Sequence, residues 1–265
     1  MPVLLDSITD VTDDMQMAVA VSGSHGGLYP AAVASRAGLR AVVFNDAGIG
    51  LERAGVAGVE LLARCNMAAV AVSCHSACIG SAQDAMENGI VSVANATAMK
   101  LGASTGMRLR QVLELLKQAP APSGMLDALP ESRSEQEVQA ANAVASRKIL
   151  CVDSASLIQP SDRHRVIITG SHGALIGGDP RRACKAEARA VAFNDAGFGK
   201  LNTGVTRLPA LQQQGIAAVT LDCETCQIGS AASALATGVI SACNQVAEQL
   251  GAKTGLSVKA WVMTL

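Results

Sequence analysis

Aromatic residues are scarce: one Trp, one Tyr and three Phe in 265 residues. That excludes a core built on ring surface, and it excludes a base-stacking platform for single-stranded nucleic acid. Positive charge is not in excess either. The net charge is −1, so no basic face is available to attract a phosphate backbone. No apolar run reaches the ~18 residues that a membrane span needs. The start of the chain, Met1-Pro-Val-Leu-Leu-Asp6, lacks the basic-then-apolar order of a signal peptide. Eight cysteines are too few for a small secreted domain stapled by disulfides. Together these absences predict reduced thiols, a cytoplasmic location, and neither nucleic acid nor membrane as a partner. There is no Walker loop, and neither Gly48-Ile-Gly50 nor Gly197-Phe-Gly199 completes a dinucleotide fingerprint. No cofactor is expected.

Small aliphatic residues are plentiful. Hydrophobic residues make up 49% of the chain, enough for a substantial core of Ala, Val, Leu and Ile. They are arranged around a phrase that occurs twice, Phe-Asn-Asp-Ala-Gly, at Phe44–Gly48 and Phe193–Gly197. Each copy ends an aliphatic run and is followed two residues later by another glycine, Gly50 or Gly199. The likeness extends well beyond it. Asp6-Ser7 matches Asp153-Ser154, and Gly23-Ser-His-Gly26 matches Gly170-Ser-His-Gly173 at the same spacing. After a two-residue insertion near Gly177-Gly178, Ile79-Gly-Ser-Ala82 pairs with Ile228-Gly-Ser-Ala231. A period this long is a duplicated half-domain, not a solenoid module of ~20–50 residues. We expect a first repeat at 1–110, a linker with helical segments at 111–147 and a second repeat at 148–265, with the repeats related by a pseudo-two-fold axis.

Within each repeat, short continuous apolar runs alternate with helical patterns. Met17–Val21, Arg40–Phe44 and Ala68–Val72 read as strands, as do Val166–Thr169, Ala190–Phe193 and Ala217–Leu221. Helices are expected over Ala31–Arg36, Ala54–Arg64, Ser81–Glu87 and Ser92–Leu101 in the first repeat. In the second they are expected over Arg181–Ala188, Thr206–Gln213, Ser230–Ala236 and Ser241–Leu250. Arg108–Gln118 and Glu135–Ser146 read as helical in the linker. Strands alternating with helices imply a Rossmann-like α/β fold, its sheet mainly parallel and covered by helices on both faces.

In open parallel sheets, ligands sit beyond the carboxyl ends of the strands, and the repeated polar motifs lie there. His25 and His172 are the proton-transfer candidates, since imidazole titrates near neutrality. Asp46 and Asp195 could orient them, and Asn45 and Asn194 could polarise a carbonyl. Ser24, Gly26, Ser171, Gly173, Asp6 and Asp153 complete the expected substrate contacts. Each motif also has a plainer reading. Asn-Asp-Ala-Gly after a strand can be a turn whose side chains bond loop amides. Asp6 and Asp153 can bond a neighbouring loop. Cysteines in an Ala-rich sheet can be small apolar fillers.

Gly23-Ser-His-Gly26 together with Ser73-Cys74-His75-Ser76 resembles the His and Cys strand-end motifs of caspase- and metacaspase-type peptidases, over those two stretches alone. The resemblance implies Cys74 as a nucleophile beside His25. Cys223-Glu-Thr-Cys226 has zinc-type spacing that the first repeat does not share, so no metal is expected. The copies also diverge: Gly27-Leu28-Tyr29 stands where Ala174-Leu175-Ile176 stands in the second. Divergence of this kind suits one composite, asymmetric pocket at the pseudo-dyad, or one active and one relaxed copy. The function expected is a hydrolase or related acid–base enzyme acting on a carbonyl-, amide- or carboxylate-bearing metabolite. The alternatives are a Cys/His thiol enzyme, or a non-catalytic protein that binds a small anion or assembles as a homo-oligomer.

Overall fold

The computed structural model describes residues 1–139 and 146–265. Val3–Leu5 (β1), Val19–His25 (β2), Ala41–Asn45 (β3) and Ala68–Val72 (β4) lie parallel and side by side in chain order. Val91–Ala94 (β5) closes the sheet antiparallel to β4. Arg133–Gln139 (β6) begins the second sheet. Ser146–Val152 (β7), Val166–His172 (β8), Ala190–Asn194 (β9) and Ala217–Leu221 (β10) follow, parallel and in order. Ile240–Cys243 (β11) closes it antiparallel to β10, while β6 adds an antiparallel sixth strand outside β7. The chain is a mixed α/β protein with two mainly parallel sheets of five and six strands.

Nine α-helices occur among the described residues. In the first half they are Leu28–Arg36 (α1), Ala57–Leu61 (α2), Ala82–Asn88 (α3), Ala96–Lys100 (α4) and Leu109–Leu116 (α5). In the second they are Arg207–Gln213 (α6), Ala231–Thr237 (α7), Gln245–Gln249 (α8) and Val258–Val262 (α9). Ser81 and Ser230 cap α3 and α7, each hydroxyl accepting the amide three residues on. The strands read as unbroken apolar runs because alternate residues enter different cores. Ala41 and Val43 join one cluster, Val42 and Phe44 another. Ala190 and Ala192 divide from Val191 and Phe193 in the same way.

Four helix expectations are corrected. Residues 92–101 and 241–250 each begin as an edge strand, β5 or β11, and turn helical only after an asparagine. Asn95 and Asn244, three residues inside the expected starts, cap α4 and α8. The Ser92 hydroxyl donates instead to the Ala71 carbonyl. Arg181–Ala188 holds no α-helix. Pro180–Arg182 makes one 3-10 turn, and the Arg182 and Ala183 carbonyls, which a helix would need, accept the Arg207 guanidinium. The helix expected over Glu135–Ser146 is strand at both described ends, Glu135–Gln139 pairing back on β7, while 140–145 falls outside the described residues.

Neither sheet reverses its strand order, so neither has the crevice that an open sheet offers at a switch point. Instead, loops beyond the carboxyl ends of the strands meet between the two sheets. Gly48 and Gly197 cross so closely that a Cβ on either would stand 2.9 Å from the other's Cα. The Leu51 amide donates to the Cys223 carbonyl at 2.8 Å, and the Lys200 amide to the Cys74 carbonyl at 2.7 Å. Ala47, Ile79, Ala174, Ala196 and Ile228 form a small apolar cluster there.

Candidate functional site

The ladder between β2 and β3 shifts register after Val21 and resumes at His25 opposite Asn45. The ladder between β8 and β9 does the same after Ile168, resuming at His172 opposite Asn194. A bulge re-aims the side chain that follows it. Here it turns each imidazole into one cleft of about 670 Å³ between the halves, with His25 and His172 both in its wall. Each Nδ1 accepts a backbone amide two residues on, Gly27 N–H at 3.1 Å and Ala174 N–H at 3.2 Å. A neutral ring held this way carries its proton on Nε2. Among the described residues neither Nε2 has a hydrogen-bond partner, and no occluded side-chain nitrogen or oxygen lacks one. Both Nε2–H groups therefore open to the cleft.

Burial lowers the His25 pKa from 6.5 to about 4. His172 is pushed well below its ordinary value by burial first, then by the Arg207 charge and by His25. Both rings are neutral at pH 7. A base with a depressed folded pKa leaves the folded state with fewer bound protons than the unfolded chain. Its stabilising contribution is full above about 6.5 and is lost as pH falls toward about 4. Urea unfolding should thus show stability falling from pH 7 to pH 5, by up to about 1.4 kcal/mol per pH unit for each histidine. His25→Asn should remove one histidine's share of that slope. An unchanged slope in that variant would contradict the neutral buried ring.

Three further polar groups of the cleft, Glu131, Tyr29 and Arg207, come from places that carry no repeated motif. Glu131, between the two sheets in sequence, lies against Tyr29 and Ser154. Burial, followed by the nearby Asp153 charge, raises its carboxyl above the ordinary range in spite of the Tyr29 and Ser154 hydroxyls. Tyr29 is raised too, by burial and by Glu131. Arg207, at the start of α6, is 2% exposed and stacks over Phe193 at 4.9 Å. Its Nε donates to the Ala174 carbonyl at 3.0 Å, and the Ala174 amide is the donor to His172 Nδ1. One residue, Ala174, thus holds both side chains, the imidazole through its amide and the guanidinium through its carbonyl.

The remaining expected site residues serve the loops. Asn45 Oδ1 accepts the Ala47 amide and its Nδ2 donates to the Ala77 carbonyl. Asn194 binds the Ala196 amide and the Cys226 carbonyl in the same manner. Asp46 Oδ1 accepts the Gly48 and Cys74 amides, and Asp195 Oδ1 those of Gly197 and Cys223. None of these four is in the cleft wall. Burial raises the Asp195 carboxyl above its usual range. Ser24 and Ser171, in the wall, accept the Ile8 and Ala155 amides. Asp6 and Asp153 accept the first amides of α3 and α7, Ala82 and Ala231, and Asp153 also reaches the wall. Gly26 and Gly173 serve close packing, since a Cβ would meet Val59 Cγ2 at 2.7 Å or the Gly204 carbonyl at 2.4 Å. Cys74 is buried behind the cleft, and burial together with the Asp46 charge pushes its thiol up to about 12. A thiol so held stays protonated. Among the described residues the cation-capable group is Asp195, Asp222 and Cys223.

Sequence reasoning missed Arg207, Glu131 and Tyr29. Arg207 did leave a signal, because its counterpart in the first half is a glycine. The Gly58 amide donates to the Gly26 carbonyl at 2.9 Å as the Arg207 amide does to Gly173 at 2.8 Å. Glu131 sits in a polar, turn-prone stretch with no pattern to mark it. Comparison with known protein families, curated proteins and solved structures finds no match to this chain.

Proposed function

We propose that the cleft is the active site of a small-molecule enzyme, a hydrolase or related acid–base catalyst acting on a carbonyl-bearing metabolite. One observation carries this: two neutral imidazoles, one from each half, present Nε2–H into the same cavity as a carboxyl of raised pKa. In this reading His25 and His172 donate to the carbonyl oxygen as negative charge develops there, as preorganised neutral donors do. Their pKa values are too low for a base that must be protonated in turn near pH 7. Glu131 moves the proton, its raised pKa bringing it nearer the working pH. Ser24, Ser171 and Asp153 shape the wall. Asp46, Asp195, Asn45 and Asn194 hold the loops on which the cleft rests. Cys74 has no chemical role.

The proposal extends to the architecture. The two halves, 1–110 and 148–265, are duplicated βα units about a pseudo-two-fold axis with helices on both sheet faces, joined through 111–147. Matching strand order, the matching register shift before each histidine and the matching asparagine caps support this. Eight unpaired cysteines support a reducing compartment.

Thermal-shift screening with metabolite pools, followed by mass analysis for conversion, tests the function. Once a substrate is found, His25→Gln and His172→Gln should each lower kcat about a hundredfold, the usual effect of losing one oxyanion donor. Turnover that survives both changes rules the reading out. A ligand that binds and is never converted favours the non-catalytic anion-binding alternative.

A further inference from the structure

We propose that this cleft contains one oxyanion site, built on Arg207, which takes the carboxylate or phosphate group of the ligand. The inference rests on the cleft being the ligand site, but not on the reaction performed there.

Arg207 is a buried cation without an anion. All its hydrogen bonds go to backbone carbonyls: Nε to Ala174 at 3.0 Å, Nη1 to Ala183 at 2.5 Å and to Arg182 at 3.3 Å. Among the described residues no carboxylate forms an ion pair with it. Carbonyl dipoles and the Phe193 face offset part of the cost of burying the charge, and a full negative charge would offset far more. Nη2 has no hydrogen-bond partner. Since no occluded side-chain nitrogen lacks one, Nη2 keeps access to the cleft that Arg207 lines. A guanidinium pinned on one edge and open on another is a preformed fork for a planar carboxylate or a phosphate.

The wall carries both signs of charge, Asp10, Glu52, Glu131 and Asp153 facing the basic residues. Arg182 and Lys185 line the same cleft. The Arg182 guanidinium stands 3.9 Å from Asp10, a loose pair on the surface, and Lys185 Nζ is spent on the Ser156 carbonyl. The first half cannot form a second such site. Gly58 occupies the position equivalent to Arg207, and even a Cβ there would lie 2.0 Å from the Gly27 carbonyl. Among the described residues this leaves one site of this kind. Ala174, whose amide donates to His172 and whose carbonyl accepts from Arg207, sets the site beside His172, so the anionic group of the ligand is gripped next to the reacting end.

The test uses the whole protein with two probes, inorganic phosphate and malonate, titrated by calorimetry and by NMR of the histidine ring protons. One saturable site per chain is expected, and the His172 titration should move to higher pH when the probe is bound, because the anion offsets the Arg207 charge. The tighter probe tells which oxyanion the site prefers. Arg207→Lys keeps the charge and loses the fork, and should weaken binding about tenfold; Arg207→Met should weaken it about a hundredfold. Arg207→Met also removes the donor to three carbonyls and can cost folding, so the wild-type NMR titration carries the test without it. Failure of both probes to bind wild type, two sites per chain, or unchanged affinity in a folded Arg207→Met protein each overturns the anion site. A substrate turned over without inhibition by either probe overturns it too, while leaving the acid–base reading in place. Probe binding at Arg207 with no metabolite ever converted does the reverse.

Discussion

Replacing Asn95 with alanine is expected to lower the unfolding free energy by about 4 kcal/mol, because four buried backbone groups lose their partner at once. Asn95 Oδ1 accepts the Ala69 and Ala98 amides, the second of which is an orphan donor at the start of α4. Its Nδ2 donates to the Val59 and Met67 carbonyls. One side chain thus ties strand β4, helix α2, the turn before β4 and the start of α4. Water cannot take its place, since Asn95 is 3% exposed. Asn244 makes the corresponding four bonds, to the Ala218 and Ala247 amides and the Leu208 and Ile216 carbonyls, and its alanine variant should cost the same. Asn95→Asp separates the tie from the cap. It keeps both acceptor bonds, loses both donor bonds and buries a charge, so it should be as damaging as alanine. Urea midpoints measure all three. A loss under about 1 kcal/mol for either alanine change would show that the amide is dispensable.

The second large effect concerns Gly58. Alanine there should destabilise the protein by about 3 kcal/mol, at the upper end of what overpacking costs. The new Cβ would stand 2.0 Å from the Gly27 carbonyl oxygen and 2.6 Å from Ala31 Cβ, and the obstacle is backbone that cannot rotate away. The reason is α1. In the first half the chain after Gly27 coils into α1, and α1 lies directly on α2. In the second half the chain after Ala174 takes 3-10 turns instead, the space stays open, and Arg207 fills it. The same position holds the smallest residue in one half and one of the largest in the other. A Gly58→Ala protein with an unchanged denaturation midpoint would mean that α1 can lift off α2 at no cost.

How far the sequence could be read depends on the range of the forces involved. Ala68–Val72 and Ala217–Leu221 are strands with the limits their apolar runs predict, since a short aliphatic run covered on both faces has few other uses. Ser81 and Ser230 could be read as helix starts because a cap is a contact over three residues. Residues 92–101 misled because Ser92 and Asn95 are both acceptable caps. The choice between them was made by β4, which offers β5 a ladder and Asn95 an amide to accept. The Asn-Asp phrase was visible, and its turn role was one of two readings that the sequence left open. Asp46 bonds Gly48 next door and also Cys74, 28 residues on, and the loop it shapes docks against the other half.

By itself the sequence showed the alternating strands and helices, the recurrence of Phe-Asn-Asp-Ala-Gly and Gly-Ser-His-Gly, and with it the prominence of His25 and His172. All of these are written in local hydrophobic pattern and in residues that recur. Tertiary structure alone decided that the two histidines share a cavity, and that Glu131 and Arg207 join them. The carbonyls that hold Arg207 lie 24, 25 and 33 residues away along the chain. Its burial without a carboxylate partner arises only when α6 is packed against the turns before β9.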